Sequence, residues 1–292
     1  MSKYTLRITL AVVLVLVFLS GSLSDTLDAM SWPSEDAVLI RNFGFNDRGS
    51  PVLGMVFNGG TEVLASEKGE VIFSRNGDDA SRLPSPFGAW TAVDHGDGLI
   101  SIYSRYAGET ISVTQFEKLQ PIASTGASGW SVQDGFYFII FDRRERRWIN
   151  PAMIITPVQR TNPPQILSVV FRNDQGVSEQ SRNLTQGRYT IVVNAVSPST
   201  NTVQRNFLAP QRIYCSVNGA EAGSLNFESF SAKDGVLMVY RNGLVPARQV
   251  YSAPGAFEAA EVFLTRSQAN VEIIVQDLSG NSSNAVYRLT IN

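Results

Sequence analysis

From Ala37 onward the chain is a succession of short apolar and β-branched runs cut by Gly, Asn, Asp and Pro, with no long amphipathic helical period anywhere. That pattern leaves room for little except β-sheet. Clear runs are Glu70 to Ser74 (EVIFS), Thr91 to Asp94 (TAVD), Leu99 to Tyr103 (LISIY) and Gly135 to Asp142 (GFYFIIFD). The stretch Thr156 to Pro164 (TPVQRTNPP) holds three prolines, which fix the backbone and remove donors from any central strand, so it reads as a linker over 157–164. Beyond it Ile166 to Phe171, Arg188 to Ala195, Gln211 to Val217, Gly235 to Tyr240 and Asn270 to Asp277 recur with turn residues between them, the spacing of a β-sandwich over 165–292. The expected fold class is all-β.

Composition narrows the chemistry. A chain of 292 residues with 43% hydrophobic and 17% charged residues is long enough to bury large cores. Its 24 basic and 26 acidic residues give a net charge of −2, without the basic excess that nucleic-acid binding draws on, so no nucleic-acid partner is expected. One histidine, His95, and one cysteine, Cys215, cannot furnish the His and Cys sets that zinc sites use. An internal disulfide is impossible with a single thiol, and Cys215 reads as a small buried hydrophobe.

Residues 1–24 have the order of a signal peptide: Lys3 and Arg7, an apolar run from Ile8 to Leu19, then Ser20, Gly21, Ser22 and Ser24. The run is shorter than the roughly 20 residues a membrane-spanning helix needs, so export without a lasting membrane span is the expectation. No cysteine follows it to carry a lipid.

Other chemistries find little support. A serine hydrolase would have to recruit His95 with Asp94 and Ser101 or Ser104, but neighbours on a strand point to opposite faces, so Asp94 is badly placed to orient His95. A glycosidase needs two carboxylates, and Asp94, Asp97, Glu109 and Asp134 show no spacing that selects a pair. The run Arg143 to Arg147 (RRERR) reads as a solvated hairpin tip, with binding to an anionic polymer or lipid headgroup as the functional alternative.

Pro51 to Glu70 (PVLGMVFNGGTEVLASEKGE), Val93 to Tyr106 (VDHGDGLISIYSRY), Ser124 to Gly129 (STGASG) and Trp148 to Pro151 (WINP) succeed one another in a familiar order. Over Arg41 to Thr156 this order resembles the lysostaphin or LytM-type zinc endopeptidases, which cleave peptide bonds in bacterial peptidoglycan. The resemblance implies a duplicated hybrid β-sheet domain over 37–156, with the C-terminal part similar to a bacterial immunoglobulin-like module. It also implies a lost active site. The family's H-x-x-x-D ligands match Val52 and Val56; its H-x-H pair, a catalytic histidine and the third ligand, matches Phe136 and Phe138; its remaining catalytic histidine matches Arg105. His95 matches a family histidine that binds no zinc.

The same resemblance implies a non-catalytic pseudo-peptidase without cofactor, exported to the periplasm or cell envelope. It would bind peptidoglycan or a cell-wall hydrolase or other envelope protein, and scaffold or regulate wall remodelling. An active peptidoglycan hydrolase with an unrecognised site is the alternative. Trp90, Tyr103, Arg105, Trp130 and Tyr137 would surround the altered groove. The Asn183-Leu184-Thr185 and Asn281-Ser282-Ser283 acceptor sequences carry no expected role in a bacterium.

Overall fold

A computed structural model describes residues 29–47, 49–76, 85–108, 110–131, 133–155, 162–199 and 207–292. The signal peptide expected at 1–24, Glu109 and most of the linker expected at 157–164 lie outside the described residues. Apart from two single-turn 3-10 segments, Pro151–Met153 and Ala247–Val250, every regular element described is a strand. No helix among the described residues is long and apolar enough to cross a membrane.

The strand Gly135–Asp142 organises the first half of the molecule. Phe, Tyr and Ile fill it, residues whose stiff or planar side chains pack well on a pleated sheet. It begins at Gly135 because a Cβ there would collide with the Phe57 carbonyl, so only glycine lets the two strands approach. On one side it pairs antiparallel with Leu99–Tyr106, followed by Ala89–Asp94, Gly69–Arg75 and Gln115–Phe116. On the other side its first half pairs with Met55–Asn58 and its second half with Arg147–Ile149.

Both faces of this sheet are covered, and strand alternation assigns each side chain to one of them. Phe136, Phe138 and Ile140 point into a core with Met55, Phe57, Val93, Tyr103 and Tyr106. Residues of the small two-stranded sheet Glu62–Leu64 and Pro121–Ser124 belong to the same core. Phe57 stacks on Phe136 at 4.7 Å, and Tyr103 lies 5.2 Å from Phe138 with its hydroxyl accepting the Ser66 N–H at 2.8 Å. Each such buried side chain contributes roughly 2 kcal/mol. Tyr137 and Ile139 project to the opposite face, where they pack with Val52, Val56, Ile102, Phe45 and Trp148.

The second half is a β-sandwich. One sheet runs Asn183–Leu184, Ser282–Ile291, Ser267–Gln276, Arg212–Val217, Ala220–Lys233. The other runs Ser178–Glu179, Gln165–Asn173, Gly187–Pro198, Ala256–Leu264, Tyr251–Ala253. Phe171, Ile191 and Val193 from one sheet meet Ile213, Val271, Ile273 and Leu289 from the other. Cys215 is buried in this core, and desolvation pushes its thiol up to about 12, so it packs as a hydrophobe and stays un-ionised.

The two halves are joined by more than the linker. Arg147–Ile149 pairs with Ser229–Ser231 near the C-terminal end of the long Ala220–Lys233 strand, which makes the first sheet and half of the sandwich one continuous sheet. A loop from the first half completes the joint. Phe43 is fully buried in the sandwich core. Asn42 exchanges two hydrogen bonds with the Ala209 backbone, at 2.9 and 2.7 Å. Tyr251 donates its hydroxyl to the Gly44 carbonyl at 2.8 Å.

Candidate functional site

The candidate groove lies on the face carrying Tyr137. Register places Trp90, Ser104, Tyr137 and Val56 in one row across four adjacent strands, continued by Arg75 at one end and Arg41 at the other. At about 4.8 Å per strand the row spans some 24 Å. It contains no acidic residue.

Arg105 sits beside this row in an unusual conformation. Its φ of 68° falls in the left-handed region, inside the strand Leu99–Tyr106, a strain of order 1–3 kcal/mol for a non-glycine residue. Two loops hold it there. Its N–H donates to the Phe87 carbonyl at 2.9 Å, and its carbonyl accepts the Ser128 N–H at 3.4 Å. The guanidinium lies 5.1 Å from the centre of the Tyr137 ring, in cation–π range. Its Nε is buried without a hydrogen-bond partner, and no ion pair or other side-chain hydrogen bond reaches it among the described residues.

Further aromatic side chains lie on nearby strands and on the loops that bond the Arg105 backbone. Phe73, 42% exposed, stacks on half-buried Trp90 at 4.2 Å. Phe87, 38% exposed, lies 6.3 Å from the same indole. Trp130, 74% exposed, is carried on the turn whose Ser128 holds Arg105, and its N–H donates to the Pro86 carbonyl at 3.3 Å. Phe73 and Phe87 escaped the sequence reading. A bulge between Val71 and Phe73 breaks the alternation of EVIFS, so two consecutive apolar residues, Ile72 and Phe73, both reach solvent.

Several sequence expectations need correction here. Tyr103 does not line the groove: it is fully buried on the other face with Phe138, held by Ser66. Phe136 and Phe138 share that inner face, so they cannot be companions of Val52 and Val56 around one site. The side chains on the same face as Val52 and Val56 are Tyr137 and Ile139, one residue further along. The physical reason is the period of two in a strand: a register error of one exchanges the faces completely. Arg105, Tyr137 and Trp90 do lie on the groove face, and Trp130 is exposed on the adjoining turn.

These residues do not fit a zinc ion. Val52, Tyr137 and Ile139 form a buried apolar cluster with Val56 at its edge, and the one polar atom they bring, the Tyr137 hydroxyl, accepts the Leu53 N–H at 2.9 Å. Among the described residues no group of three or more His, Cys, Asp and Glu could hold a metal.

His95 belongs to a separate network. Its Nδ1 lies 2.8 Å from the Lys68 carbonyl and its Nε2 2.7 Å from the Ser101 hydroxyl. A carbonyl only accepts, so Nδ1 carries the proton and neutral Nε2 accepts from Ser101. Burial, outweighing the favourable Lys68 carbonyl and the Glu67 and Asp94 charges, lowers its pKa below 6.5. Asp94 turns instead to the Gly96 N–H at 3.0 Å and to Arg143 at 3.3 Å. Ser101 is fully buried, so neither an orienting carboxylate nor an open nucleophile accompanies this histidine. In the basic hairpin, Asp142 accepts the Arg144 and Glu145 N–H groups at 2.9 and 3.1 Å, and the arginines point to solvent.

Known proteins share parts of this architecture. A family model matches residues 163–292. No curated protein matches the sequence. Among solved structures the chain is similar to the catalytic domain of a prophage-encoded M23 protein, EnpA, from Enterococcus faecalis. The match has 15% identity and a TM-score of 0.35, covering 42% of this chain and 94% of that one. A SpoIIQ–SpoIIIAH pore-forming complex matches at 18% identity and a TM-score of 0.36, over 46% and 95%. Lysostaphin from Staphylococcus simulans matches at 14% identity and a TM-score of 0.31, over 85% of each chain. LytM-type M23 peptidases and SpoIIQ are thus structural neighbours of this all-β fold. At these TM-scores none of them assigns a residue or an activity to this chain.

Proposed function

We propose that the protein is a non-catalytic relative of the LytM-type peptidases that works outside the cytoplasm, in the bacterial periplasm or envelope. A degenerate peptidase-like domain over 37–156 would bind peptidoglycan or a cell-wall hydrolase and regulate or scaffold wall remodelling. The sandwich over 165–292 would be an immunoglobulin-like module that positions it, and residues 1–24 its export signal.

One observation carries the non-catalytic part. The face on which the family's motif would place its ligands is closed by Val52, Val56, Tyr137 and Ile139 packed against Phe45 and Trp148. An uncharged, water-excluding cluster cannot bind zinc, and without the metal nothing there lowers the pKa of an attacking water. Half-buried Arg105 and Trp90 on the same face, with exposed Trp130 on the adjoining turn, favour a groove that binds.

The test is co-sedimentation of residues 25–292 with purified sacculi, with release of a covalently attached dye read in the same tube. Binding without release is expected. Release above a heat-inactivated control would make the protein a hydrolase, and absence of both would remove the wall as its ligand. Arg105→Ala should weaken retention on sacculi more than Arg144→Ala on the distant hairpin; equal retention would count against a groove-centred role.

A further inference from the structure

We propose that Arg105 and its aromatic border form a docking site for a peptide segment that presents a carboxylate between apolar side chains. This rests on the groove being a binding surface and names what it binds.

Three observations converge on the site. The guanidinium carbon lies 5.1 Å from the centre of the Tyr137 ring and has no ion-pair partner among the described residues; with Nε buried, its two terminal nitrogens are the donors left to receive a carboxylate. The neighbouring row, Arg75, Trp90, Ser104, Tyr137, Val56 and Arg41, holds arginine and no acid, so a negative group meets no repulsion along it. Exposed Phe87 and Trp130 are carried on the two loops that bond the Arg105 backbone, and Trp90, on the adjacent strand, forms with exposed Phe73 a stacked pair on which apolar side chains can rest. A cation next to exposed aromatic surface suits an acidic residue with apolar neighbours in the chain.

The backbone is built to hold this arrangement. The strained φ of Arg105 is imposed by hydrogen bonds from the two loops that also carry Phe87 and Trp130, so cation and aromatics are positioned as one unit. The side chain so presented lies over Tyr137.

The experiment is calorimetric titration of residues 25–292 with the blocked peptide acetyl-Ala-Leu-Glu-Leu-Ala-amide and its counterpart with Gln in place of Glu. The Glu peptide should bind about tenfold more tightly than the Gln peptide. Arg105→Gln should abolish that difference, and so should Arg105→Asn, whose side chain tolerates positive φ and guards against misfolding of the first variant. Trp130→Ala should weaken both peptides alike and leave the ratio intact. Arg144→Gln should change nothing.

Equal binding of the two peptides, a ratio that survives loss of Arg105, or no saturable heat from either up to about 5 mM would overturn the proposal. Retention on sacculi with no preference for the Glu peptide would overturn this inference alone. A preference for the Glu peptide without retention on sacculi would leave the inference standing and remove the wall as the ligand.

Discussion

The residue that most repays a close view is Tyr137, because it is floor of the groove, stacking partner of Arg105 and acceptor for Leu53 at once. Tyr137→Phe leaves the ring and removes the acceptor, so it should cost about 1 kcal/mol and lower Tm by roughly 2–4 °C in calorimetry. An unchanged Tm would mean that Leu53 finds water instead. His95 gives a second expectation. Burial lowers its folded-state pKa below the ordinary 6.5, so the unfolded chain binds the proton more readily. Its contribution is therefore complete above the unfolded pKa and is lost as pH falls below about 6.5. His95→Gln should flatten the fall in Tm between about pH 7.5 and 5.5 relative to the parent protein. A parallel pair of curves would show that His95 titrates alike in both states.

At the scale of the element, the strand Gly135–Asp142 explains both what the sequence made legible and what it concealed. Its limits could be read from GFYFIIFD, since the run begins at a glycine and ends at an aspartate. Its faces could not. Every position from Phe136 to Ile140 is apolar and buried, so nothing in the residue types distinguishes the inner side from the groove side. The assignment of Phe136 and Phe138 to the face of Val52 and Val56 is corrected for that reason; Tyr103, on the neighbouring strand Leu99–Tyr106, pairs with Phe138 and shares its inner face. Trp90 and Tyr137 share the other face, and the Arg105 guanidinium lies over Tyr137. The correction has a direct test. The triple variant Val52→His, Val56→Asp, Ile139→His should retain zinc through dialysis, whereas the same variant with Phe138→His in place of Ile139→His should not, since that histidine faces the core. Phe138→Ala alone should cost about 3–5 kcal/mol.

For the whole molecule, the sequence showed two β-rich halves and a proline-rich break, but not how firmly the halves are fastened. Single-residue plugs and strand pairing between segments far apart in the chain leave no local signature: Arg147–Ile149 meets Ser229–Ser231, and Phe43 enters a core drawn from 166–291. Gly44 adopts φ 79°, and any Cβ there would press to 2.7 Å from the Phe227 ring. Gly44→Val should therefore unseat Phe43 and Asn42 and replace a single cooperative melting transition by two, seen in calorimetry. A single transition at reduced Tm would instead mean that the strand seam suffices to keep the halves cooperative.

The insertion of Phe43 also sets an order in time. Asn42 bonds a residue 167 positions later and Gly44 one 207 positions later, so the sandwich cannot be finished from its own strands. The segment around Phe43 must wait, with an aromatic side chain uncovered, until the strand Ser282–Ile291 is in place to close the core that receives it. Chains truncated before that strand should be dependent on chaperones and prone to aggregate, since a segment about 240 residues away governs when Phe43 is covered.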